Sequence, residues 1–228
     1  MHETSLHREL KFTYAGTGGQ TEAGVGSYVA DGINAAGEYF EVQTGSFGPL
    51  RKKAIELAAK GRLRIIYPVI LVKYLEVFDI HGNLLYRKKS PKKGSPWDIF
   101  NALIHAPDLP NVNGIIIELA LVDAVERRVR DGKGSWRRRG ISIVDRRIET
   151  LHECICLEKP ADYLRFLPFN KNEKITSCLL KEKTGIPITA ARKTLYVLVK
   201  LGLIEMTGKQ GHYHVYRITS RRKISQKP

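Results

Sequence analysis

Residues 29–45 read VADGINAAGEYFEVQTG and place three polar side chains inside two short apolar stretches. Asp31 comes first, Glu41 follows, and Gln43 stands two residues further on. The segment NAAG between the stretches has the composition of a turn, so the pattern predicts two neighbouring β-strands. An unpaired carboxylate is costly to bury, so two acids inside apolar strands require a chemical reason.

The two strands bring the acids together if they pair antiparallel. Within the second strand, Glu41 and Gln43 share one face, because alternate side chains of a strand point the same way. Two close carboxylates repel each other unless a cation lies between them. Mg²⁺ prefers such oxygen ligands and binds through one or two carboxylates plus a substrate phosphate. The pattern therefore predicts a site for Mg²⁺, or Mn²⁺. The alternative is that Asp31 caps the turn and Glu41 forms an ion pair.

The flanking sequence predicts an α/β domain with a mixed sheet over residues 1–160. Helical periodicity covers residues 3–14, and a Gly-rich loop follows over residues 15–26. Further helices are predicted over residues 48–62 and 95–107, since each has an apolar stripe with Pro near its start. Long strands are predicted over residues 62–79, with Pro68 favouring an edge or a bend, and over residues 113–130.

This order of elements, with Asp31, Glu41 and Gln43 at their spacing, resembles the PD-(D/E)XK nuclease superfamily. The resemblance covers about residues 1–75 well and the rest of the domain loosely. It implies a restriction-endonuclease-like core that hydrolyses phosphodiesters with a divalent metal. Asp31 and Glu41 match the two acidic metal ligands of the motif. Ala30 stands where the name-giving Pro would be, and Gln43 occupies the position of the Lys.

The Gln at position 43 is the more important departure from the family pattern. A carboxamide can orient water by hydrogen bonding, but it supplies no positive charge. In some members of the superfamily the Lys function lies on the next helix, where Lys53 or Lys52 would supply it here. Inactive members that only bind also exist. The alternative function is therefore a non-enzymatic DNA-binding regulator with a degenerate nuclease-like domain.

A third acidic ligand often completes sites of this superfamily. Glu22, just ahead of the first predicted strand, is the preferred candidate, and Glu9 on the opening helix is the alternative. The ordinary explanation of each is a surface carboxylate without a role at the site.

Residues 168–220 resemble a winged helix, with two helices over residues 172–185 and 186–202 and a hairpin over residues 203–219. The second helix of this motif commonly enters the major groove of DNA. We therefore expect DNA contacts from Arg192, Lys193 and Lys200. The basic tail, residues 221–228, is expected to add phosphate contacts. Winged helices also bind proteins, so the resemblance alone leaves that alternative open.

Charge favours a polyanionic partner. Residues 166–228 hold 13 Lys and Arg against 3 Asp and Glu, which is +10 of the chain's net +15. Two further loops are basic, one with Lys92 and Lys93 and one with Arg137, Arg138 and Arg139 beside Trp136. Either loop fits a phosphate backbone, with Trp136 available to stack on a base, and either is equally explained as a solvated surface.

The composition is that of a globular protein, with 43% hydrophobic and 27% charged residues among 228. There is no apolar run of the roughly 20 residues that a membrane helix needs, so we expect a cytoplasmic protein with no membrane contact. The overall prediction is a Mg²⁺-dependent DNA endonuclease of restriction or repair type, directed to DNA by a winged helix. RNA is the alternative substrate. Cutting both strands needs two active sites, which is compatible with a homodimer.

Overall fold

The computed structural model describes residues 3–219, and the predicted tail, residues 221–228, lies outside them. Within this part of the chain the helices are α1 (Ser5–Ala15), α2 (Arg51–Ala58), α3 (Ile99–Leu103), α4 (Ser177–Thr184) and α5 (Ile188–Lys200). The strands are β1 (Gln20–Val25), β2 (Tyr28–Ile33), β3 (Tyr39–Val42), β4 (Leu63–Phe78), β5 (Leu84–Lys89), β6 (Ile115–Arg130), β7 (Ile141–Leu157), β8 (Ile204–Gln210) and β9 (Tyr213–Ile218). Over residues 3–219, no helix has the length and apolar character to cross a membrane.

The main sheet is mixed, which confirms the predicted α/β class. Its strand order is β1-β2-β3-β4-β6-β7, and β5 pairs with β4 beside this path. The β1–β2, β2–β3, β4–β5 and β6–β7 pairs are antiparallel, whereas β3, β4 and β6 run parallel. Parallel strands are usually covered on both faces, which explains the almost unbroken apolar run at the start of β6.

Helices cover both faces of the sheet. Alternate residues of β4 point in opposite directions, so Ile65 joins the buried cluster beneath α2 and α3, and Ile66 joins the cluster beneath α1. Leu10 of α1 is fully buried in the second cluster. The ends of the strands therefore lie between two helical layers, and both layers can send side chains to the same point of the sheet.

Pro68 lies at a point of β4 that is open on one side, in agreement with the predicted edge or bend. The pairing of β3 with β4 ends at Ile66, and β5 first pairs with β4 at Tyr74. On this side Pro68 therefore has no paired strand beside it, while its other side pairs with Ala120 of β6. The missing N–H of Pro68 costs no ladder hydrogen bond at such a position.

The predicted loop over residues 15–26 is partly wrong, because it contains β1. Its sequence QTEAGV lacks the apolar alternation of a strand, but it pairs along β2 from Gln20 opposite Ile33 to Val25 opposite Tyr28. Tertiary pairing here overrides a weak local preference. Gly19 permits the approach, since a Cβ at this position would lie 2.1 Å from the carbonyl oxygen of Ala15.

The C-terminal segment consists of α4, α5 and the antiparallel hairpin of β8 and β9. Ile175, ahead of α4, forms an isolated bridge with Tyr216 of β9. Leu195 and Leu198 of α5 belong to the same buried cluster as Phe100 and Leu103 of α3. The apolar core of the α/β domain thus continues into the C-terminal segment.

Towards the C-terminal ends of β4 and β6 the sheet consists of four strands in the order β5-β4-β6-β7, and many side chains of β5 and β7 are exposed. We call this segment the sheet extension, and it comprises residues 73–78, 84–89, 124–130 and 141–148.

Glu126 lies within the sheet extension and is only 1% exposed. Its carboxylate contacts Lys73 at 3.3 Å, Arg128 at 2.5 Å and Arg146 at 2.8 Å. Burial alone would raise the pKa of Glu126, but these three cations lower it to about 2. Glu126 is therefore ionised and holds three cations together.

We expect Glu126→Gln to lower the free energy of unfolding near neutral pH, because three cations lose their counter-charge. The carboxylate pKa is about 4.5 in the unfolded chain and about 2 in the folded one. Its contribution is therefore complete above about pH 4.5, is lost as the pH falls towards about 2, and is at most about 3 kcal/mol. Urea unfolding at several pH values measures it. Glu153→Gln, at an exposed position of β7, is the control. Equal stability of the two variants would contradict the expectation.

Candidate active site

Asp31 and Glu41 are neighbours at the point where β2 and β3 stop pairing. The ladder runs through Ile33 opposite Tyr39 and Gly32 opposite Phe40, and the next position would place Asp31 opposite Glu41. At this position, hydrogen bonds from backbone N–H groups to the two carboxylates replace the backbone ladder. The N–H of Asp31 donates to Glu41 Oε1 at 3.1 Å, and the N–H of Val42 donates to Asp31 Oδ2 at 2.8 Å. Each carboxylate is therefore held by the backbone of the opposite strand.

The two acids are both largely buried but differ electrostatically. Burial raises the pKa of Glu41, the charge of Asp31 raises it further, and Lys53 opposes both effects. Burial would also raise the pKa of Asp31, but hydrogen bonds from His7 and the Val42 N–H, with the charge of Lys11, bring it below its usual range. Glu41 is thus the member of the pair with too little positive charge around it. Such separation of neighbouring pKa values is typical of functional sites.

Basic side chains reach the pair from both helical layers. Lys53 of α2 places its Nζ 2.5 Å from Glu41 Oε1. From α1, His7 Nε2 lies 3.0 Å from Asp31 Oδ2, and Lys11 Nζ lies 3.8 Å from Asp31 Oδ1. Of the two predicted alternatives on α2, Lys53 is therefore the residue at the site, whereas Lys52 is exposed.

Sequence reasoning missed His7 and Lys11. The available signal was their spacing with Glu3, since residues four apart lie on the same face of a helix. Thr4 begins α1, because its side chain accepts a hydrogen bond from the N–H of His7. This start orients His7 and Lys11 towards Asp31.

The two candidates for a third acidic ligand have different surroundings. Glu22 lies on β1 with φ at 56°, and its carboxylate contacts Lys11, which also contacts Glu3 at 3.3 Å. Glu22 is therefore linked to Asp31 through a lysine. The carboxylate of Glu9 instead accepts a hydrogen bond from the N–H of Ile148 at 3.2 Å. Glu9 is thus engaged with β7.

The pair itself offers carboxylate ligands for one small divalent ion. Over residues 3–219, no group of three or more His, Cys, Asp or Glu side chains is arranged to hold a metal. Both contacts that Glu41 makes with Asp31 and Lys53 use Oε1, so its Oε2 is the oxygen left for a cation. Two carboxylates fit the way Mg²⁺ binds, with water and substrate as the remaining ligands.

Gln43 follows Glu41 by two residues but anchors the next loop. Its Nε2 donates to the carbonyl oxygen of Ser46 at 2.7 Å, and its backbone N–H donates to Ile66 at 2.8 Å. One of the two N–H donors of the carboxamide is thus occupied, and the carboxamide oxygen can accept a hydrogen bond from a water molecule.

The three residues of α5 that are expected to contact DNA differ in their exposure and contacts. Arg192 and Lys200 are exposed, and Tyr196 lies between them with the Lys200 Nζ 5.8 Å from its ring centroid. Lys193 instead donates to Asn101 Oδ1 at 2.9 Å, in the middle of α3. The docking of α5 on α3, which local periodicity does not encode, turns Lys193 away from the exposed face.

The two basic loops also separate in space. Arg137, Arg138 and Arg139 line one cavity, and Trp136 beside them is 83% exposed. Lys92 lines a different cavity together with Thr44, which directly follows Gln43. Lys93 is exposed.

The chain belongs to the family described as a domain of unknown function (DUF8091), whose model matches residues 4–158. This range includes α1 through β7 and therefore the whole candidate site. The chain is also similar to an "Uncharacterized protein" of Treponema pallidum (strain Nichols), with 26% identity over 215 residues, covering 94% of this chain and 85% of that protein. No solved structure matches the chain.

Two substitutions are expected to move the pKa of Glu41 in opposite directions. Asp31→Asn should lower it by removing a nearby negative charge, and Lys53→Met should raise it by removing a cation. A titration of the Glu41 carboxyl carbon by NMR measures both changes. Lys52→Met removes the same charge from an exposed position of α2 and is the control. The account fails if Lys52→Met and Lys53→Met move the Glu41 pKa equally.

Proposed function

We propose that this member of the family is a Mg²⁺-dependent endonuclease that hydrolyses phosphodiester bonds of DNA, of restriction or repair type. Mn²⁺ is the expected substitute ion. The observation that carries the proposal is the pair of neighbouring carboxylates, buried Glu41 and partly buried Asp31, with the Lys53 ammonium 2.5 Å from Glu41. A pair of acids and a cation in this arrangement suits the hydrolysis of a phosphate ester.

The elements around the pair support the same proposal. Helix α1, strands β1 to β3, helix α2 and strand β4 follow one another in the order of the PD-(D/E)XK core. The acids lie on β2 and β3, which are the strands that carry them in the superfamily motif. This support rests on a resemblance in order and position.

The arrangement assigns a role to each side chain. Asp31 and Glu41 would hold the ion, which when bound would neutralise phosphate charge and make a coordinated water more acidic. Lys53 stabilises the negative charge that develops on the phosphate oxygens. Gln43, whose amide nitrogen bonds Ser46, uses its oxygen to accept a hydrogen bond from the attacking water and so orients it. His7 positions Asp31 through their 3.0 Å contact.

The C-terminal segment would hold the protein on DNA. Its two helices, its hairpin and the bridge between Ile175 and Tyr216 support the resemblance to a winged helix. The exposed face of α5, with Arg192, Tyr196 and Lys200, is the surface suited to the major groove.

The second candidate is a DNA-binding regulator that does not cut, and one observation favours it. Lys11 and Lys53 already contact Asp31 and Glu41, so two ammonium groups can neutralise the pair without a metal. In an active enzyme at least Lys53 must exchange its contact with Glu41 for one with the substrate. Metal-dependent cutting separates the two candidates.

The nuclease proposal is tested with supercoiled plasmid, branched DNA and structured RNA in Mg²⁺, Mn²⁺ or EDTA. We expect cutting that needs metal and disappears in Glu41→Ala. Lys53→Met should slow cutting by about 10²- to 10³-fold, the usual cost of removing one preorganised charge-stabilising group. Lys52→Met is the matched control and should cut normally. Binding of all three nucleic acids without cutting would support the regulator, and preferential cutting of RNA would correct the substrate.

The exposed face of α5 is tested by binding, with duplex DNA in EDTA so that no cutting occurs. We expect the double variant Arg192→Ala/Lys200→Ala to bind more weakly and to reduce the slope of log K against log salt by about 2, close to one for each lost phosphate contact. Lys193→Ala removes the same kind of charge beside Asn101 and should reduce the slope less. The assignment of this face is wrong if Lys193→Ala has the larger effect.

A further inference from the structure

A strongly basic surface of the described chain lies on the sheet extension, away from α5. A cavity of about 400 Å³ opens between β5, the end of β6 and the β6–β7 turn. Tyr86, Ile141 and six cationic side chains line it, and none of these lining residues is acidic. The six are Lys88, Arg128, Arg130, Arg137, Arg138 and Arg139. Because three separate segments supply them, the fold rather than one charged loop concentrates this charge.

A second basic cavity, of about 240 Å³, lies nearer the candidate active site. Lys73, Lys92 and Arg146 line it together with Asp98. Its wall also includes Thr44, the residue after Gln43. This cavity therefore begins beside the loop that leaves the active-site strand.

Glu126 joins the two cavities. Its buried carboxylate contacts Arg128 of the first cavity and both Lys73 and Arg146 of the second. One carboxylate cannot neutralise three cations, so a net positive charge remains along the whole path. Glu126 thus orients neighbouring cations without removing their attraction for an anion.

The opposite face of the sheet extension provides a contrast within the same segment. There Arg87 and Arg147 each contact both Glu76 and Glu149. Arg127 lies over the ring of Phe78 at 4.5 Å. Arg87, Arg127 and Arg147 thus each have an acidic or aromatic partner, whereas the six cations that line the first cavity have, within the described part of the chain, one ion pair among them, Arg128 with Glu126.

The path has the length of a short strand segment. It runs along β6 from the position of Ala124, which pairs with Lys73, to Arg130. At about 3.3 Å per residue this is about 20 Å, or about six stacked nucleotides at about 3.4 Å each.

Trp136 at the far end indicates which form of nucleic acid fits. Its ring is 83% exposed, and the Arg137 guanidinium lies 5.5 Å from the ring centroid. An exposed aromatic ring beside cations is a stacking platform for a base, and only an unpaired base offers its face. Tyr86 adds a second ring within the first cavity, the one of about 400 Å³.

We propose that this face of the sheet extension binds an unpaired nucleic-acid strand, which runs from the candidate active site across Arg146 and Arg128 to Trp136. The direction of the strand relative to the active site rests on the proposed nuclease function, whereas the binding itself does not. A substrate with a single-stranded flank or branch is the class that such a path selects.

The experiment measures fluorescence anisotropy of labelled single-stranded DNA, single-stranded RNA and duplex DNA with the full chain carrying Glu41→Ala, in EDTA. Trp136→Ala should weaken single-strand binding by about 5- to 150-fold, the usual loss of one base stack. It should weaken duplex binding less. Arg137→Ala/Arg139→Ala should reduce the single-strand salt slope by about 1.4. Arg127→Ala/Arg147→Ala, on the opposite face, is the matched control.

The outcomes separate this inference from the proposed function. Equal effects of Arg137→Ala/Arg139→Ala and of the control Arg127→Ala/Arg147→Ala on single-strand binding would overturn the inference, even if the protein cuts DNA. Equal loss of duplex and single-strand binding in Trp136→Ala would overturn the assignment to an unpaired strand. Weakened single-strand binding in Trp136→Ala and Arg137→Ala/Arg139→Ala, but not in the control, supports the inference even if no cutting is found. The thermal midpoint of each variant confirms that its fold is intact.

Discussion

Asp31 and Glu41 lie side by side in the sheet, and the need to accommodate two adjacent carboxylates, one buried and one partly buried, shapes the structure around them. Each acid accepts a backbone N–H from the opposite strand, which replaces the ladder where β2 and β3 separate. The remaining charge attracts Lys11 from one helical layer and Lys53 from the other. The pair is therefore the point at which cations of α1 and α2 meet.

Glu126, in the same sheet, differs from Glu41 in having an excess of positive charge around its carboxylate. Three cations surround this single buried acid and lower its pKa to about 2, whereas the pKa of Glu41 is raised. Glu41 lacks positive charge and suits an added cation, while Glu126 leaves a surplus that suits an anion. A phosphodiester chain held by the second region and a metal ion held by the first would form complementary halves of one nucleic-acid site. This complementarity supports the proposed function without depending on the winged-helix resemblance.

Much of the fold follows from local sequence patterns, and the exceptions have physical causes. Long apolar runs predict β4 and β6, and alternation around a turn predicts that Asp31 and Glu41 are neighbours. Strand β1 is not predictable in this way, because its pairing with β2 rather than its own composition makes it a strand. The helix pattern shows Lys11 and Lys193 on particular faces, but only packing decides that Lys11 meets Asp31 and that Lys193 meets Asn101. The nuclease and winged-helix resemblances remain predictions.

The central claim is that Asp31 and Glu41 hold a divalent ion, and diffraction from crystals grown with Mn²⁺ tests it most directly. The account predicts an anomalous peak between the two carboxylates, within coordination distance of Glu41 Oε2, with Lys53 moved from Glu41. Crystals of Asp31→Asn should lack that peak. A wild-type structure without a peak there, in which Lys11 and Lys53 still contact the acids, would contradict the claim and favour a protein that binds nucleic acid without cutting it.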